Sequence, residues 1–210
     1  MSLRVIAILL AGVAVLAPAV SAPAQQIQPP NKDKEWVEPP KELPRAQRGD
    51  RQKNLDLLFD ALKIAPDETT AKAIEDRIWA LWVASGSDTT NLLMSRSKIA
   101  MEKQDLDLAL RLLDSVIEIK PDYVEAWNRR ATIFFLKKDY GRSIADIRQV
   151  LAREPRHFGA LAGLGTILQD IGKDAPALDA FRRALAVHPN LKGIPDRVKT
   201  LTEKVEGRDI

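Results

Sequence analysis

From residue 51 onward the apolar positions follow a helical period. Leu55, Leu58, Phe59 and Leu62 fall at i, i+3, i+4 and i+7, one stripe of a helix. Ile64-Ala65-Pro66-Asp67 closes that helix, because the residue before a proline is pushed out of the helical region. A second helix is predicted over 68–84, with Ile74, Ile78, Leu81 and Trp82 along one side. Ser85-Gly86-Ser87-Asp88 then breaks the chain, with Asp88 placed to cap the next helix. Near the C-terminus, Pro195 suits the first turn of a last helix, where its missing N–H costs nothing. Val198, Leu201 and Val205 give that helix one apolar side, while Lys199, Glu203 and Lys204 face water.

Between these ends the pattern repeats. Pro121, Pro155 and Pro189 stand 34 residues apart, and a fixed period of this size means stacked copies of one supersecondary unit. The units run 90–123, 124–157 and 158–191. Their eighth positions are Ser97, Ala131 and Gly165, and their twentieth are Ala109, Ser143 and Ala177, small residues where two helices must approach closely. Larger side chains fill the fourth position (Leu93, Trp127, Leu161) and the twenty-fourth (Leu113, Ile147, Phe181).

At most signature positions, and over roughly half its length, the chain resembles the tetratricopeptide repeat family. Arg96 and Arg130 stand where that family usually has Leu, and only the third unit carries Gly at position eight. The resemblance implies an all-α fold, a right-handed superhelical stack of antiparallel helix pairs. The two helices of each unit are expected to join near Gln104-Asp105, Lys138–Gly141 and Gly172–Asp174. Since each unit opens on an A helix, 68–84 is expected in the preceding B slot. Residues 51–86 then form a degenerate first hairpin, four helix pairs stack, and 192–210 supply a capping helix and tail.

The N-terminus is built differently. Arg4, the apolar run Val5–Ala17 and the small residues around Ala22-Pro23-Ala24 predict a secretory signal over 1–24, cut after Ala24, and hence a periplasmic or secreted protein. The apolar run falls short of the ~20 residues that span a bilayer, so no stable span is expected after cleavage; an uncleaved anchor is the alternative. The chain has no Cys, which excludes lipid attachment through cysteine and disulfides alike. Residues 25–50, with five prolines, predict an extended linker whose Trp36-Val37 is its apolar pair.

Charge and chemistry narrow the function classes. The net charge is +3 with both signs interspersed, which gives no nucleic-acid footprint. The two histidines, His157 and His188, lack the spacing of metal ligands and are expected to be structural or surface residues. Gly159, Gly163 and Gly165 fall on an A helix rather than after a strand, so they read as close-packing residues and not as a phosphate loop. No catalytic constellation, metal site or cofactor site is expected.

What remains is surface. The resemblance implies that positions 2, 5, 9, 12 and 13 of each unit line a concave groove holding a peptide or partner helix. The candidate groove residues are Met94, Lys98, Met101, Asn128, Arg129, Thr132, Phe135, Leu136, Thr166 and Gln169. Met94, Met101, Phe135 and Leu136 would leave an exposed apolar patch there unless something covers it. A carboxylate clamp of the kind some relatives use would need Lys98, Asn128 and Arg129, but Met94, Ala162 and Gly163 stand where it wants polar partners. Two readings stay open: an exported, non-catalytic module that binds a protein or peptide partner, or a self-associating structural subunit of an envelope complex. A role in maturation of a secreted protein is a third.

Overall fold

The computed structural model describes residues 45–207. The expected signal segment, and the expected linker up to residue 44, lie outside the described residues. Within them the chain forms α1 (Arg45–Lys63), α2 (Glu68–Val83), α3 (Asp88–Glu102), α4 (Leu106–Ile119), α5 (Val124–Leu136), α6 (Tyr140–Arg153), α7 (Phe158–Asp170), α8 (Asp174–Val187) and α9 (Ile194–Val205). α1 already begins at Arg45, so the last residues assigned to the linker are helical.

Capping explains the boundaries. Asp67 opens α2 by accepting the Thr70 N–H at 2.7 Å. Ser87, and not Asp88, caps α3: its backbone is extended and its hydroxyl accepts from Thr90, while Asp88 sits in the first turn, where a carboxylate meets the positive helix end. The three A helices α3, α5 and α7 end alike. Gln104, Lys138 and Gly172 occupy the same unit position, with φ of 60°, 58° and 73°. The next residue in each, Asp105, Asp139 or Lys173, donates back to Ala100, Phe134 or Leu168 at 2.9, 2.8 and 2.8 Å. This is the left-handed stop that glycine accepts without cost and other residues do not.

α3 with α4, α5 with α6 and α7 with α8 form three antiparallel pairs in sequence order. Ala109, Leu113, Val116, Ala126 and Ile133 share one core between the first pair and α5. Ala131, Ile147, Val150, Ala160 and Ile167 form the next, between α5, α6 and α7. Gly165 lets α7 approach α8 so closely that a methyl group there would stand 2.5 Å from Phe181. α9 packs against α8, burying Ile194 and Leu201 beside Phe181, with Val198 half-buried.

The first hairpin departs from expectation. α2 is not packed along α3 as a preceding B helix; instead α2 meets α5 and α1 meets α8. The cause is the aromatic stripe of α2. Trp79 and Trp82 find His157 and Phe158 at the junction between α6 and α7, and Phe158 joins Leu55, Phe59, Leu62, Ile78 and Trp82 in one buried cluster. Burying a large aromatic contributes about 1.5–3 kcal/mol. The hairpin therefore crosses the stack, and three pairs plus a cap make up the solenoid.

Candidate functional site

A concave cavity of about 180 Å³ opens between α5 and α7. Its floor is apolar, from Ala131, Ile147, Ala160 and Ile167, and its walls carry Asn128, Thr132, Phe135 and Thr166. These four come from positions 5, 9 and 12 of the second unit and 9 of the third, so neighbouring A helices bring them together across the groove. Gly159 and Gly163 line the cavity as well; a side chain at Gly163 would point toward Ile147, while at Gly159 it would meet Trp79. Phe135 leans on Tyr140 with ring centroids 6.0 Å apart and is half-buried there. The Thr132 and Thr166 hydroxyls each donate to the carbonyl one turn back, at 3.0 Å. A small apolar side chain fits this floor, with Asn128 at the wall.

The other expected groove residues have different settings. Met94 is 4% exposed and packs in the core with Leu113 and Ala126, so it contributes no surface patch; Arg129 reaches back to its carbonyl at 3.4 Å. Met101 is half-buried against the same core. Lys98 is exposed and pairs loosely with Glu102, and Leu136 is exposed beyond the cavity. Gln169 accepts from Arg197 of α9 at 3.0 Å, so the cap reaches the third unit's groove side. Asn128 donates to Glu125 at 3.3 Å. Lys98, Asn128 and Arg129 thus have separate partners and do not converge as a clamp.

At the cavity's end lies an arrangement that the sequence did not reveal. His157 and Glu125 are 0% and 2% exposed, and Nε2 of the histidine lies 2.9 Å from the carboxylate. Nδ1 accepts the Ala160 N–H at 3.0 Å and caps α7, which leaves the Nε2 proton for Glu125. The resemblance put Glu125 on the groove face; this bond withdraws it. Trp79 rests above Gly159, where a methyl group would stand 3.2 Å from its Cη2. The hairpin is further tied by Tyr123 Oη to the Val83 carbonyl (2.7 Å), Arg156 to Asp56 (2.7 Å) and Asn190 to the Ala65 carbonyl (3.3 Å). Burial pushes the Tyr123 hydroxyl up to about 12, with the Glu125 charge adding to it, so it stays a donor. One sequence signal was available: His157 immediately precedes an aromatic, and α2 carries two tryptophans one turn apart.

Among the described residues no group of three His, Cys, Asp or Glu could hold a metal ion, and no helix is long and apolar enough to cross a membrane.

Helix pairs stacked at a period of 34 around a groove define a helical-repeat protein of the interaction type. The tetratricopeptide repeat profile matches residues 95–148 and 137–191. A TPR repeat-containing protein of Rhizobium etli is 43% identical over 156 residues, 74% of this chain and 76% of that protein. The human tetratricopeptide repeat protein 7B is 28% identical over 105 residues, half of this chain but 12% of that protein. Among solved structures, the first TPR of Spaghetti (RPAP3), bound to an HSP90 peptide, superposes with a TM-score of 0.54 at 16% identity, covering 57% of this chain and 95% of its own. The chain belongs to the tetratricopeptide repeat family, whose repeats generally mediate protein–protein interaction and are generally non-catalytic.

Proposed function

We propose that this protein is an exported, non-catalytic adaptor that holds a segment of a partner protein in the groove between α5 and α7. The carrying observation is the cavity of about 180 Å³, apolar at its floor and walled by Asn128, Thr132, Phe135 and Thr166. Such a lining suits a neutral-to-apolar side chain of an extended segment or helix, with the Asn128 amide orienting the backbone. Acidic tails are disfavoured, because among the described residues no Lys or Arg lines the cavity. Trp79 and its hairpin limit the groove at Gly159, so the segment enters from the Leu136 side. Export is part of this reading and rests on the composition of residues 1–24.

Photo-crosslinking in living cells tests it, with the photoreactive residue at position 135 and a control at exposed Ser115 on α4. One envelope protein captured at 135 and absent at 115 supports a groove-dependent adaptor. Capture of another copy of this chain, or of its own residues 1–44, overturns it. Cell fractionation tests export separately.

A further inference from the structure

The junction between the first two units shows what an A helix requires of the helix before it. Along α5 the stripe Ala126, Arg130, Ile133, Lys137 faces α4. Ala126 and Ile133 are fully buried there with Leu113, Val116 and Ile117. Arg130 is held by Asp146 of α6 through Nε and Nη2, both at 2.8 Å, and its remaining Nη1 donates to Asp114 of α4 at 2.7 Å. Lys137 Nζ donates to Asp107 at 2.8 Å. α4 thus offers two carboxylates seven residues apart beside an apolar stripe, matched by apolar, cation, apolar, cation on α5.

α3 repeats that stripe one unit earlier, as Leu92, Arg96, Ile99, Lys103. Here nothing among the described residues is laid against it, because α2 is drawn away to His157 and Phe158. Leu92 and Ile99 are 53% and 47% exposed, where their counterparts Ala126 and Ile133 are 0%. Arg96 and Lys103 are exposed and form no ion pair with any described residue. The face is finished for a neighbour of the same kind that α4 is for α5.

We propose that this face of α3 docks an amphipathic helix of a partner protein bearing two carboxylates seven residues apart beside its apolar stripe, seated as the missing B helix. It is separate from the concave groove and does not depend on it. Charge complementarity selects the occupant: the two cations call for two acids at that spacing, and the two exposed aliphatics call for apolar residues between them. A second copy supplies no free helix of this kind from its described residues. α2 carries Glu68 and Glu75 seven apart, but Glu75 is held by Trp79 at 3.1 Å and His188 at 3.4 Å. Its apolar Ala71 and Ile78 are buried in the hairpin's own cluster. α6 and α8 carry Gly141 with Arg148 and Ala175 with Arg182 at the equivalent places, and the α4 pair is engaged by Lys137 and Arg130. α9 has Asp196 and Glu203, but its apolar residues Ile194 and Leu201 are buried in its own core.

The test uses the full chain and a probe made from its own α4, residues 104–120, fluorescently labelled and held helical by a bridge across the outward positions 108 and 112. Fluorescence anisotropy is expected to show saturable binding. Arg96→Glu with Lys103→Glu weakens it about tenfold or more. A probe carrying Asp107→Lys and Asp114→Lys restores binding to that variant. All four stripe residues are at the surface, and circular dichroism checks that the variants remain folded. Absence of saturation at millimolar protein, or binding indifferent to the charge reversal, overturns the proposal. So does a photoreactive group at position 92 that captures only residues 1–44 of its own chain, or a dimer that Arg96→Glu dissociates, since the face is then covered from within or by a second copy.

Discussion

Trp82 and His157 lie face to face, their ring centroids 4.2 Å apart and their planes within 7° of parallel. The pair joins the first hairpin to the junction between the second and third repeats, and the same imidazole caps α7 and bonds Glu125. The Trp82 indole N–H is buried without an acceptor among the described residues. Trp82→Ala is therefore expected to cost about 3–5 kcal/mol, chiefly by releasing α1 and α2. Trp82→Phe, which keeps an aromatic face and removes the unpaired donor, costs much less. Hydrogen exchange separates the two: in the alanine variant amides of α1 and α2 lose protection while those of α5 to α8 keep theirs.

The second histidine makes the hairpin's hold depend on pH. Burial holds the His188 imidazole below its ordinary value, only partly opposed by Glu75, whose carboxylate stands 3.4 Å from Nε2. A folded value below the unfolded one means that the unfolded chain binds the proton more readily. The stability is fully present above about 6.5 and is lost as pH falls through that value toward the folded one. The urea midpoint is expected to drop between pH 7.5 and 5.5, and His188→Gln to flatten that difference. An equal drop in the variant would assign the effect to other groups.

Two of the three left-handed stops are occupied by the wrong residue type. Gln104 and Lys138 hold φ near 60°, a conformation that costs a non-glycine residue roughly 1–2 kcal/mol. Glycine relieves this but is freer when unfolded, so Gln104→Gly and Lys138→Gly should each stabilise by up to about 1 kcal/mol. Gly172→Ala runs the other way. Urea unfolding of the three variants gives the comparison directly.

Repeat spacing was legible because Pro121, Pro155 and Pro189 punctuate it, and the three helix pairs followed from it. The stripe of Ile78 and Trp82 correctly indicated that α2 buries one face. It could not say against what, since helical period identifies a side and not a neighbour. The aromatic surface at His157 and Phe158 comes from residues far along the chain, and it outcompetes the adjacent α3. Met94 failed as a groove residue for a related reason: its position number is that of Asn128, but the core beneath the first unit takes it in. Asn128, Thr132, Phe135 and Thr166 do meet around one cavity, because the interior units have neighbours on both sides.

Two glycines on α7 distinguish stability from binding. A methyl group at Gly165 would meet Phe181 at 2.5 Å, so Gly165→Ala is expected to destabilise by about 1–3 kcal/mol. At Gly163 the nearest atom is Ile147 Cδ1 at 3.9 Å, and alanine is also the better helix former by about 1 kcal/mol. Gly163→Ala should leave the protein as stable or more so while filling part of the cavity. Its yield of the adduct captured from position 135, compared with wild type, reads the cavity's part in partner binding.

The ties from the hairpin to the far side of the stack impose an order on events during synthesis. Asp56 waits for Arg156, 100 residues later, and Ala65 for Asn190, 125 residues later. At 5–20 residues per second the ribosome takes about 5–20 s to cross the shorter of these gaps. For most of that interval Phe59, Trp79 and Trp82 have been made but their lodging at His157 and Phe158 has not. The α1–α2 segment is thus translated first and docked last, and its tryptophans are the part of the nascent chain most open to holding factors until the third repeat emerges.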